Sequence, residues 1–144
     1  MFLSDLTNRG ATPALIAGLT FIEARHKMIA ENVANWQTPG YKTKQLDTGA
    51  FEKALRTALD AKGSDPHKTL MLPSTQQFRS EANGRLTVTP TDLPIEHLQF
   101  HDGTNGSIEQ MMTDLADNAM AYQAVSTLLK GQFDGIQKAI RGAV

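Results

Sequence analysis

The chain has 144 residues, 40% of them hydrophobic and 20% charged, enough for one domain with a modest core. Fourteen basic residues against fifteen acidic ones leave a net charge of −1, so no overall field recruits nucleic acid or an anionic membrane. Cysteine is absent, which excludes disulfides, thiolate metal sites and cysteine nucleophiles and leaves the redox compartment open.

Residues 1–11 read as a flexible N-terminal segment. Ala11 to Ile22 is apolar enough to imitate a signal-peptide core, but Asp5 offsets Arg9 upstream and no small-residue cleavage site follows. No apolar run reaches the eighteen or so residues that a membrane span needs, so no direct membrane insertion is expected. Over residues 12–35, Leu15, Leu19, Ile22, His26, Ile29 and Val33 recur at alternating steps of four and three, which predicts a helix that packs lengthwise on another. Thr12 is the expected N-cap and Pro13 suits the first helical position. At the other end Asn35 is expected to close the helix in the left-handed conformation, and Pro39 cannot continue it. Pro39-Gly40 fits the centre of a type II turn, proline fixing the first φ and glycine supplying a positive second one.

Asn32, Asn35, Thr38, Pro39, Gly40, Tyr41 and Lys42 together form an Asn-x-x-Asn-x-x-Thr-Pro-Gly-Tyr run with a following lysine. In this the chain resembles the axial proteins of the bacterial flagellum, whose rod and hook members carry such a motif after a long N-terminal helix. Trp36-Gln37 departs from the family pattern, where small or acidic residues are commoner.

The middle, residues 36–106, is expected to be irregular beyond the turn motif. Phe51, Leu55, Ala58 and Leu59 suggest a short helix from about Ala50 to Ala61, stopped by Gly63. Pro66, Pro73, Pro90 and Pro94 forbid any long regular element after it. Asn83-Gly84, between 78–82 and 86–89, signals a β-hairpin with a primed two-residue turn. The Thr-x-x-x-His segment that the family often carries in this region is absent, since Thr75 is followed by Gln76-Gln77-Phe78-Arg79.

Residues 107–144 predict the longest helix. Ile108, Leu115, Tyr122, Leu129 and Ile136 repeat every seven residues, and Met112, Ala119, Phe133 and Ile140 form the companion row, interrupted at Ser126. Ser107 with Gln110 makes a capping box, while Lys138 and Arg141 complement the negative end of the helix dipole. Gly131 and Gly135, four apart, indicate close helix approach or a fraying tail. The run Leu115 to Val125, with Asn118 and Tyr122, resembles a short proximal-rod member of the axial family rather than a hook or distal-rod protein; another short rod subunit such as FlgC is the nearest alternative.

Candidate chemistry is sparse. Glu23 and His26 have the spacing of one half of a di-iron carboxylate site, but no second copy exists. His97 and His101 with Glu96 and Asp102 lack a third ligand at motif spacing. Gly103 to Ser107 precedes a helix without the Gly-Lys-Ser/Thr ending of a phosphate loop. No catalytic, cofactor or metal role is therefore expected, although a small helical metal-binding enzyme and a cytoplasmic helical adaptor stand as readings of another class.

The expected fold is mainly α, the terminal helices pairing as an antiparallel coiled-coil-like hairpin. Leu15, Leu19, Ile22, Ile29 and Val33 would meet Leu115, Tyr122, Leu129 and Ile136, with Leu19 near residues 129–133 and Val33 near Leu115. The resemblance implies a non-enzymatic structural subunit of the flagellar basal-body rod in the periplasm, exported by the flagellar type III apparatus without a cleaved signal peptide. It also implies partners: further copies of the chain, the rod proteins FlgC, FlgF and FlgG, and FliE at the rod base.

Overall fold

The computed structural model describes residues 10–65, 67–92 and 108–142. Residues 1–9, His97, His101 and the Ser107 end of the expected capping box lie outside them. The order of elements is α1 (Thr12–Ala34), β1 (Lys44–Gln45), α2 (Thr48–Lys62), β2 (Phe78–Ser80), β3 (Leu86–Val88), β4 (Thr91–Asp92) and α3 (Ile108–Arg141). The protein is mainly helical, with long terminal helices, a middle helix and two small antiparallel strand pairs.

α1 starts one residue away from the expected cap. Ala11 occupies the N-cap without a side-chain bond, and Thr12, only 1% exposed, is the first helical residue and is buried instead. The end differs as well: Asn35 has φ −109°, not a left-handed conformation, and its amide Nδ2 and backbone N–H both bond back to the Glu31 carbonyl at 2.9 and 3.1 Å. A side chain that caps its own turn removes the need for positive φ.

Two faces of α1 are covered. Ala17, Phe21, Ala24 and Met28, spaced four, three and four, turn toward the middle region, where Phe21 stacks on Phe51 with ring centroids 4.0 Å apart and Phe51 meets Phe78 edge-on at 5.8 Å. Leu46, Ala54, Ala58, Leu70, Leu72 and Leu86 complete this core. The region between the terminal helices thus supplies most of the interior. α2 begins at Asp47, whose carboxylate accepts from the Ala50 N–H at 2.8 Å, and ends at Gly63 with φ 58°. The β2–β3 hairpin pairs Phe78 with Val88 and Ser80 with Leu86. Its turn is not the expected primed one: the Gly84 N–H bonds to the Glu81 carbonyl, placing Ala82 and Asn83 at the centre, and Gly84 follows with φ 82°. This is a three-residue loop with glycine at its left-handed position. Gly84 is required twice over, because a Cβ there would stand 2.7 Å from the Thr69 methyl.

The other face of α1 receives α3, the main helix–helix contact of the fold. The pairing is antiparallel: Asn118 Nδ2 donates to the Ile22 carbonyl at 3.1 Å, and Arg25 meets Asp114 at 3.5 Å. Leu19 therefore falls opposite Ala121 and Tyr122, and Ile29 opposite Met111. This register is about one heptad away from the one that would put Leu19 by residues 129–133. The companion row changes too. Met111 and Asn118 are buried and Val125 half-buried, whereas Met112, Ala119, Phe133 and Ile140 are exposed in the single chain.

Thr12 lies opposite residues near Leu128, so about thirteen residues of α3 extend beyond the start of α1, roughly 20 Å at the helical rise. Gly131 and Gly135 lie on this projection with open space where a Cβ would be, so none of the described residues approaches them closely. The register makes a direct prediction in a chain without cysteine. Leu19→Cys with Tyr122→Cys should form an intramolecular disulfide, while Leu19→Cys with Leu129→Cys should not, because bridging needs Cα atoms within about 7 Å. Non-reducing electrophoresis of the monomer reads the result, and the reverse pattern would restore the register expected from the sequence.

Candidate functional site

The helix-exit motif is organised by Asn32, which is 4% exposed. It sits on the last turn of α1, where its amide faces the returning strand β1. Its Nδ2 donates to the Lys44 carbonyl at 2.8 Å, and its Oδ1 accepts from the Lys44 N–H and the Tyr41 hydroxyl, each at 3.0 Å. One side chain thereby satisfies both backbone groups of Lys44, as a neighbouring strand would. The loop between is fixed in steps: Thr38 N–H bonds to the Asn35 carbonyl at 2.9 Å, and Tyr41 N–H to the Thr38 carbonyl at 3.1 Å. With Gly40 at φ 76°, Thr38 to Tyr41 is the type II turn that Pro39-Gly40 predicts.

Electrostatics reinforce the tie. Lys44 Nζ lies 2.9 Å from Glu31 Oε2, which holds the Glu31 carboxyl below its ordinary range and raises the Lys44 ammonium; solvent screens the pair, since both side chains are more than a third exposed. Burial pushes the Tyr41 phenol up, keeping it a donor to Asn32. Trp36, Thr38, Pro39, Gly40 and Lys42 remain exposed around this fixed bend.

A Cβ on Gly40 would meet nothing within 4 Å, so replacements there test backbone conformation alone. Gly40→Val should cost about 1–2 kcal/mol, the penalty for an L-residue in the left-handed region, and Gly40→Asn distinctly less. Thermal denaturation of the two variants measures the gap, and equal melting would show that the positive φ does not matter.

Gln77 makes a second tie that the sequence did not single out. Its Oε1 accepts from the Asp47 N–H at 2.8 Å, and its Nε2 donates to the Gln45 carbonyl at 3.3 Å and to Thr91 Oγ1 at 2.7 Å. It thus links β1, the α2 cap and β4, where Lys44 pairs with Asp92 and Gln45 with Thr91. A glutamine in a polar run between prolines gives no sequence signal for this. A shallow depression of about 570 Å³ lies beside it, lined by Gln45, Asp47, Thr75 and Gln76 among others.

The structure separates the packing residues into two groups. Ile29 is buried, and Leu15, Leu19, Ile22, Val33, Ile108, Leu115, Leu129 and Ile136 are half-buried. Tyr122, Met112, Ala119, Phe133 and Ile140 are exposed, Ile140 at 67%. Leu129, Phe133, Ile136 and Ile140 continue along the projecting part of α3 on the side that faces α1 lower down. Glu23 and His26 are exposed, and no group of three or more metal-ligating side chains occurs among the described residues. No helix among them is long and apolar enough to cross a membrane.

The chain thus pairs a tied bend at the exit of α1 with a last helix that carries apolar surface beyond the start of α1. The chain is 28% identical over 125 residues to the flagellar basal body rod protein FlgB of Escherichia coli K12, covering 81% of this chain and 83% of that protein. It is 23% identical over 133 residues to FlgB of Bacillus subtilis 168, covering 92% and 95%, and 27% identical over 131 residues to FlgB of Cereibacter sphaeroides, covering 86% and 88%. No protein-family model matches the chain. Similarity to FlgB rod proteins of several bacteria over 80–90% of the chain supports a FlgB-type flagellar rod protein.

Proposed function

We propose that the chain is a structural subunit of the proximal rod, which assembles through its terminal helices after export by the flagellar type III apparatus into the periplasmic part of the basal body. The observation that carries this reading is the projecting stripe Leu129, Phe133, Ile136 and Ile140, together with exposed Leu128, on a helix otherwise folded against its own chain. A stripe of that length finds its cover in another subunit. Further copies of the chain and the rod proteins FlgC, FlgF and FlgG are the partners in this reading, with FliE at the base. The bend at Asn32, Asn35, Thr38, Pro39, Gly40, Tyr41 and Lys42 acts as a rigid corner that sets how the middle region stands off the helices.

The test follows the chain in cells. It should be recovered in purified basal bodies of the parent strain and remain in the cytoplasm when the flagellar export apparatus is inactivated. Equal release from both strains would end the reading. Phe133→Ser with Ile140→Ser should abolish incorporation into rods while leaving the melting temperature of the isolated subunit nearly unchanged, since exposed positions contribute within about 0.5 kcal/mol.

A further inference from the structure

The apolar rows of α1 and α3 repeat every seven residues, so they fit one another equally well after a slide of one heptad. Such a slide would put Leu19 opposite Leu129 instead of Tyr122, Ile22 opposite Val125, and the start of α1 against Phe133. It would cover Phe133 but carry Met111, 8% exposed in the observed register, past the end of α1. Apolar burial alone therefore gives no strong choice between the two alignments.

We propose that Asn118, with the Arg25–Asp114 ion pair one turn away, selects the observed register. Asn118 is 1% exposed, and its Nδ2 reaches the Ile22 carbonyl at 3.1 Å. Its Oδ1 is buried without a hydrogen-bond partner among the described residues. A half-satisfied amide in a helix seam costs stability, and its best-attested use is to discriminate between alignments that apolar residues cannot tell apart. In the slid register Asn118 would face Ile29, which is 3% exposed within the core, Asp114 would face Val33, and Arg25 would face Tyr122. Both polar contacts of the seam would be lost together.

The register also determines how much of α3 remains for other subunits. A slide of one heptad shortens the projection by roughly 10 Å, about half of it. This consequence rests on the rod reading; the selection of register does not.

The experiment compares Leu19→Cys/Tyr122→Cys with Leu19→Cys/Leu129→Cys in three backgrounds: the parent sequence, Asn118→Leu and Asn118→Ala. In the parent the first pair should crosslink at least tenfold more than the second. In Asn118→Leu, and less strongly in Asn118→Ala, the second pair should rise to a comparable yield with helix content by circular dichroism retained. An unchanged ratio in both variants would overturn the proposal. Loss of both crosslinks in both variants would overturn it as well, because Asn118 would then hold the hairpin together rather than choose its alignment. A shifted register with normal rod incorporation would sustain the role of Asn118 and remove its consequence for assembly.

Discussion

Phe21→Ala should destabilise the isolated protein by about 3–5 kcal/mol, enough to unfold much of it at physiological temperature. Phe21 is 2% exposed and stacked on Phe51, which in turn meets Phe78, so truncation opens a cavity where α1, α2 and β2 converge. The surrounding residues are held by helix caps and a hairpin and collapse only partly into the gap. Urea denaturation measures the change. A loss below about 1 kcal/mol would mean that the middle region does not depend on this stack.

Asn32→Ala should cost about 3 kcal/mol, out of proportion to the atoms removed. The variant leaves the Lys44 N–H and carbonyl and the Tyr41 hydroxyl without the partners they have at 2.8 to 3.0 Å. Each is partly buried, so water replaces the lost bonds incompletely. Tyr41→Phe removes one of the three and should cost about 0.5–1.5 kcal/mol. Asn32→Asp should fall between, since its carboxylate still accepts from the Lys44 N–H but is aimed at the Lys44 carbonyl. If Asn32→Ala were no worse than Tyr41→Phe, Asn32 would not be the centre of the bend.

Different kinds of order left different traces in the sequence. α3 was legible because its heptads run through a long helix, and the Pro39-Gly40 turn because each residue has a narrow conformational preference. The second face of α1 was not. Ala17, Phe21, Ala24 and Met28 have the same four-three spacing as the seam beside them, so a helix apolar on two sides reads as a helix apolar on one. The register of the hairpin was hidden by the same periodicity that revealed the helices, and only Asn118, a polar residue in an apolar row, marked it. Leu46, Phe78 and Leu86 are isolated among polar residues, and Leu70 and Leu72 belong to a run of three apolar residues cut off by Pro73. Their joint role as the interior follows from tertiary contacts that no local pattern encodes.

Every residue of the buried core cluster lies between Ala17 and Leu86, while α3 adds Met111 and Asn118 among the described buried residues. The contact between Asn118 and Ile22 spans 96 positions, so docking α3 also closes a long loop. Two cooperative units of unequal strength result. The segment through β4 should keep most of its interior if α3 lifts away, with Ile29 uncovered, and α3 should open at the lower free energy. In hydrogen exchange the buried core of the first unit should outlast the amides of α3. If that order holds, the last helix would undock and dock again as a unit, with the folded body of the earlier segment left standing.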